Sequence, residues 1–136
     1  MTVRVTDFDH LVLRVRDIER SLAFYTGELG LAPVRVDRWR QGEVPFPSVR
    51  VSPGTLIDLV RDEDAAADGP PRTNVDHICL VVEPVDWDEV IASGRFTVLD
   101  GPGPRFGARG TAQSLYVEDP DGNVVELRWY PEPAAD

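Results

Sequence analysis

Residues 8–15 read FDHLVLRV and residues 75–82 read VDHICLVV, so the chain twice sets an Asp-His pair at the head of an apolar run. In the first run Phe8, His10, Val12 and Arg14 alternate with Asp9, Leu11, Leu13 and Val15, the period of two that predicts a strand. Beyond it Asp17 stands at an N-cap position. Ile18, Leu22, Tyr25 and Leu29 then follow at helical spacing, and Gly30 supplies the stop. Runs at 34–40, 46–51 and 55–60 read as strands, punctuated by Gly42 and Pro53-Gly54. After the second Asp-His run, Asp86 and Glu89 form a capping-box pair for a short helix carrying Trp87, Val90 and Ile91, which Gly94 closes. Strands are expected at about 96–99, 113–118 and 124–130, with Asp119, Pro120, Asp121 and Gly122 making the last turn.

The chain is therefore one βαβββ unit written twice. Asp58 and Glu126 recur at nearly the same offset as the two Asp-His pairs, a repeat in layout more than in identity. The expected fold is α+β: two βαβββ modules forming a curved mixed sheet around a cavity. A single domain is expected over 1–136, with module one at about 6–61, a solvated linker at about 62–73 (DEDAAADGPPRT) and module two at about 74–131. The tail beyond Pro131 is expected to fray.

Composition narrows the chemistry. Twenty-four acidic residues face fourteen basic ones, a net charge of −10 that repels phosphate backbones and anionic lipid, so neither nucleic acid nor membrane is an expected partner. All fourteen basic residues are Arg, which excludes Schiff-base chemistry and the phosphate-loop lysine. Cys79 is the single cysteine, so no intrachain disulfide forms. The start MTVRVTDFDH has no signal-peptide pattern, and a cytoplasmic location is expected.

Alternation sorts the faces of the strands. Val124, Glu126, Arg128 and Tyr130 share one face of the last strand, and Leu56, Asp58 and Val60 share one face of its counterpart. With the apolar faces beneath the helices, His10, Asp58, His77 and Glu126 converge on the other side. Ionised carboxylates are not buried mid-strand unless paired or metal-bound. Two imidazoles and two carboxylates make a charge-balanced set for a divalent cation (Zn, Ni, Co, Mn or Fe(II)), with positions left for substrate. Arg14, Arg50 and Arg128 fall on the same side by parity and point to an anionic small-molecule substrate such as a carboxylate. The segment 101–110, GPGPRFGARG, carries Arg105 and Phe106 and reads as a lid over the site or as a connector, the lid being the expectation taken forward. Cys79 reads as a small buried hydrophobe, Tyr25 as core, and Trp39 and Trp129 as core or dimer packing.

The sequence resembles the vicinal oxygen chelate superfamily, also called the glyoxalase/bleomycin-resistance/dioxygenase fold, over about residues 6–130. The resemblance rests on FDHLVLRV, SLAFYTGELGL, VDHICLVV and YVEDPDGNVVELRWY, in that order and spacing. It implies His10, His77 and Glu126 as metal ligands. Asp58 falls where glyoxalase-type members often place Glu and epimerase-type members Gln. An Asp is one methylene shorter, which leaves two roles open for it: ligand, or acceptor working through water. The implied function is Lewis-acid activation of a carbonyl or vicinal-oxygen substrate, with Glu126 or Asp58 carrying the proton in lyase or isomerase chemistry. One alternative is an extradiol-type dioxygenase with Fe(II) on His10, His77 and Glu126. Such enzymes generally use a further non-ligand His, whose part Tyr116 or Tyr130 would have to play. Another alternative is a non-catalytic, bleomycin-resistance-like drug-binding protein. Arg50, Arg128, Arg14, Arg105, Phe106 and Tyr116 are the expected substrate-binding residues, and a homodimer is the expected assembly.

Overall fold

The computed structural model describes residues 2–70, 74–118 and 124–131. The expected turn at Asp119, Pro120, Asp121 and Gly122, residues 71–73 of the expected linker and the tail beyond Pro131 lie outside the described residues. The order of elements is β1 (Val5–Val15), α1 (Ile18–Leu22), a π-helical turn (Ala23–Glu28), β2 (Ala32–Val34), α2 (Val36–Arg40), β3 (Ser48–Ser52) and β4 (Thr55–Arg61). There follow β5 (Val75–Val82), α3 (Trp87–Ala92), β6 (Thr97–Arg105), β7 (Ala112–Glu118) and β8 (Val124–Arg128). Strands in mixed pairing with a few short helices make this an α+β protein. None of the described helices is long and apolar enough to cross a membrane.

The chain folds as two compact units. One is Leu11–Asp76; the other joins Met1–His10 to His77–Asp136. The first ten residues thus pack with the second half of the sequence, which brings His10 into the same unit as His77 and Glu126.

In the unit of residues 11–76 the strand order is β2, β3, β4 and the second half of β1. Its core is Val15, Ile18, Leu22, Val49 and Leu59, with Tyr25, Val36 and Trp39 packed against it. Asp17 caps α1 by accepting from the Arg20 N–H, as its sequence position predicts. The helix then widens into a π turn, with Leu29 N–H bonded to Phe24 O. The extra residue in that turn rotates Leu29 off the apolar stripe, and it is 57% exposed rather than core.

Two expectations in this unit are corrected. Of the expected strand 34–40 only Val34 is in a strand. Arg35 takes a left-handed conformation (φ 60°) that ends β2, and α2 follows, with Val36 and Trp39 three apart on its packed side. The start of the expected linker is folded rather than solvated. Asp62 and Ala65 are buried, Asp62 N–H bonds to Val15 O, and the Arg61 guanidinium donates to Ala65 O.

In the other unit the order is the first half of β1, then β5, β8, β7 and β6. β5 and β8 run parallel, pairing Cys79 with Glu126; β7 is antiparallel to β8, pairing Tyr116 with Glu126 and Ser114 with Arg128. Asp86 caps α3 through the Asp88 N–H. Trp87 and Val90 of α3 pack on Val82, Leu115, Val117 and Leu127 to form the core. That assigns Leu80, Val82, Leu115, Leu127 and Trp129 to the apolar face, and alternation turns His77, Cys79, Ser114, Tyr116, Glu126 and Arg128 the other way.

Candidate metal centre

The strand faces turned from the core hold three donor atoms in one place. His10 Nε2 lies 3.1 Å and His77 Nε2 2.9 Å from the same Glu126 oxygen, Oε1. The two rings stand edge to face, 5.7 Å apart. His10, His77 and Glu126 form one of two groups of donors whose ligand atoms all lie within 4.8 Å of one another among the described residues. His10 and Glu126 are buried, and the His77 side chain is 12% exposed.

His10 and Glu126 are oriented from behind. The Asp9 carboxylate stands 2.7 Å from His10 Nδ1, so that nitrogen carries the proton and the ring presents Nε2 to the cluster. Asp9 is itself fixed by the Ala108 N–H at 2.9 Å and the Tyr130 hydroxyl at 2.5 Å. Glu126 Oε2 accepts from Ser114 Oγ at 2.7 Å and Arg128 Nη2 at 2.9 Å, leaving Oε1 to face the imidazoles.

The charges follow from these contacts. Burial alone would raise the Glu126 carboxyl, but hydrogen bonds from His10 and His77 and the nearby Arg128 charge hold it well below the usual carboxylate range. Burial disfavours an imidazolium at His10, yet hydrogen bonds with Asp9, Cys79 and Glu126 outweigh it and raise His10 above its ordinary value. Glu126 is thus held as a carboxylate between the two imidazole Nε2 atoms. Two imidazole nitrogens and one carboxylate oxygen around a single point are also the donors a divalent cation takes, with the cation replacing the Nε2 protons.

Asp9 is the residue that sequence reasoning missed. Parity placed it opposite His10, whereas both are buried and in contact. The repeated Asp-His dipeptide was the available signal, but it is not decisive, because Asp76 is 41% exposed and pairs with Arg14. Cys79 is fully buried, as expected; it stands beside His10 and forms with Asp9 and His10 the second group of close donor atoms. Asp9 is committed to His10, Ala108 and Tyr130, so that group is a hydrogen-bonded support rather than a second cation cage.

The expected substrate-binding residues separate. Arg128 is 0% exposed and its Nη1 and Nη2 donors are spent on the protein: Glu126, the carbonyls of Arg105, Phe106 and Gly110, and the Tyr130 hydroxyl. It therefore does not stand ready for an anion as expected. The lid reading of 101–110 is also corrected. Residues up to Arg105 belong to β6, and 106–110 are stitched down by Arg128 and Asp9.

Tyr116 and Arg105 extend in a row from the cluster. The Tyr116 ring lies 5.5 Å from that of His77, and the Arg105 guanidinium lies 5.6 Å from the Tyr116 ring, with Asp100 at 3.1 Å. Burial, with Glu126 close by, pushes the Tyr116 phenol up to about 12, so it remains an O–H donor. Phe106 is 37% exposed.

Asp58, Arg14 and Arg50 belong to the unit of residues 11–76. Asp58 is 2% exposed, accepts from Ser48 Oγ at 2.5 Å and lies 3.7 Å from Arg35 Nη2. Each unit thus grips one carboxylate with a serine from the adjacent antiparallel strand and an arginine. Arg50 donates to the carbonyl of Pro53 at 2.9 Å.

Comparison with known proteins agrees with the fold. The family model described as Glyoxalase/Bleomycin resistance protein/Dioxygenase superfamily matches residues 7–127, and the chain belongs to that superfamily. It is 30% identical over 124 residues to a virulence protein of Salmonella typhimurium, covering 90% of this chain and 83% of that one. A lactoylglutathione lyase of the same organism is 31% identical over 122 residues, covering 87% and 88%. Among solved structures, the Mn(II)-bound glyoxalase from Novosphingobium aromaticivorans superposes with a TM-score of 0.68 at 23% identity. That match covers 94% of this chain and 40% of the other, so this chain spans less than half of that glyoxalase.

Proposed function

We propose that His10, His77 and Glu126 hold a divalent cation and that the protein is a metal-dependent lyase or isomerase of the vicinal oxygen chelate type. The observation that carries this reading is the convergence of His10 Nε2, His77 Nε2 and Glu126 Oε1 on one point, with His10 and Glu126 oriented from behind. Such a cation, when bound, supplies Lewis-acid polarisation of a carbonyl and lowers the pKa of the adjacent C–H. The similar lactoylglutathione lyase of Salmonella typhimurium, and the Mn(II) in the solved glyoxalase, support the class of reaction and of metal.

The protein's own groups supply orientation and charge. The Asp9 carboxylate keeps the His10 proton on Nδ1. Tyr116 offers a protonated hydroxyl beside His77, and Arg105 sets a cation at the outer end of the same row, suited to an anionic substrate group. Glu126 is the proposed proton carrier within this unit; Asp58 keeps that proposed role on the strength of the sequence repeat alone. Zn, Ni, Co and Mn all suit the donor set. With Fe(II) the same three donors would serve an oxygenase, but both of the protein's histidines are then ligands, and the acid–base histidine of such enzymes has no counterpart.

The test is a screen of metal-loaded protein in deuterated water against hemithioacetals, 2-oxo acids and acyl thioesters, read by NMR. Exchange of the C–H beside the carbonyl, lost in His77→Ala, is the expected result. Tight binding of a basic drug with no exchange on any substrate would overturn it in favour of a sequestering protein.

A further inference from the structure

The structure assigns Arg128 a positioning role: one buried guanidinium fixes which oxygen Glu126 presents and also where residues 105–110 lie. Its Nη2 reaches Glu126 Oε2 at 2.9 Å, Phe106 O at 2.9 Å and Arg105 O at 3.1 Å. Its Nη1 reaches Gly110 O at 3.2 Å and the Tyr130 hydroxyl at 3.1 Å. A carboxylate turns readily about its last bond and offers either oxygen. Arg128 and Ser114 together hold Oε2, so only Oε1 meets the imidazoles.

The same fork gathers carbonyls from three residues of the 105–110 segment. That needs the flat, multi-donor geometry of a guanidinium, which an ammonium does not reproduce. The chain makes room for it: a Cβ at Gly107 would collide with Arg128 Nη1 and Tyr130 Oη. From the other side the Ala108 N–H bonds to Asp9, the carboxylate behind His10. Both carboxylates that touch the imidazoles are therefore tied to one short segment. That segment also carries the backbone of Arg105, whose guanidinium lies 5.6 Å from the Tyr116 ring. Whatever alters the Glu126 carboxylate is transmitted to 105–110, and the reverse.

This inference rests on the proposed metal centre only in its affinity readout. Three measurements test it in the full-length protein: amide exchange across 105–110, ¹⁵N-histidine spectra, which resolve the two histidines, and Mn(II) affinity. In Arg128→Lys, exchange at Ala108 and Gly110 is expected to speed up, both histidine signals to shift, and Mn(II) binding to weaken roughly ten- to a hundredfold. Gly107→Ala, which displaces the guanidinium without removing it, should do the same. In Arg128→Gly, added guanidinium ion at sub-denaturing concentration should restore all three readouts, which recovery of bulk packing alone would not. The exposed Arg95→Ala serves as the unchanged control. A folded Arg128→Lys with native exchange and native histidine signals overturns the inference. So does a loosened segment with native histidine signals. Should the wild-type protein bind no Mn(II), the metal reading falls, and exchange with the histidine spectra still decides the role of Arg128.

Discussion

Asp9 Oδ1 lies 2.7 Å from His10 Nδ1, on the side of the ring opposite the nitrogen that meets Glu126. The pair is neighbouring in sequence and fully buried, and Tyr130 and the Ala108 N–H complete the environment of the carboxylate. Asp9→Ala removes the acceptor of three buried donors at once. It is expected to cost about 3–5 kcal/mol of stability in urea unfolding. Asp9→Asn, which keeps one acceptor oxygen, should cost less. An Asp9→Ala protein as stable as wild type would show that these contacts are not formed.

Tyr130 gives a pH dependence. Burial pushes its phenol up to about 12, with the Asp9 hydrogen bond and charge adding to the rise and the Arg128 charge opposing it. The folded state therefore holds this proton more tightly than the unfolded chain, whose value is near 10. The contribution is complete below about pH 10 and is lost as pH rises from there toward about 12. Urea unfolding across that range should show wild-type stability falling, and Tyr130→Phe should lack this part of the fall. Parallel alkaline limbs in the two proteins would contradict it.

Asp58 is expected to hold the 11–76 unit together locally. Asp58→Ala leaves the largely buried Arg35 guanidinium without its nearby carboxylate, at an expected cost of about 3–5 kcal/mol. Ser48→Ala, which deletes one hydrogen bond to that carboxylate, should cost about 1–3 kcal/mol. Chemical denaturation ranks the two, and the reverse order would mean that Arg35 does not depend on Asp58.

Cys79 should report global unfolding. It is fully buried, and burial pushes its thiol up to about 12. An aromatic disulfide reagent at neutral pH is expected to leave the native protein unlabelled and to react once per chain in denaturant. Rapid labelling of native protein would place the β5 strand at the surface.

Much of this was legible in the sequence, because β5, β7 and β8 are regular and paired without a slip at the site. Period-two alternation then put His77 and Glu126 on one face with no further information. The failures have local causes. V-R-V-D-R-W-R alternates like a strand, but Val36 and Trp39 also fit a three-residue helical step, and the left-handed Arg35 decides for the helix. The prolines of GPGP argued for a loop, yet β6 is the last strand in its unit's order and needs no outward N–H, so Pro102 and Pro104 fit within it. Parity placed Arg128 on the correct face. Its burial depends on carbonyls some twenty residues away in sequence, which no local pattern announces.

The most direct test of the central claim is the metal content of protein purified without added metal, measured by elemental analysis beside His77→Ala. Near-stoichiometric divalent metal in the wild type, absent from the variant, is the predicted result. Iron as that metal would shift the chemistry toward oxygenation at the same three donors. Protein that binds no metal even after soaking with Mn, Ni, Co and Zn would contradict the account, and would leave His10, His77 and Glu126 as a buried ionic cluster with no cation to hold.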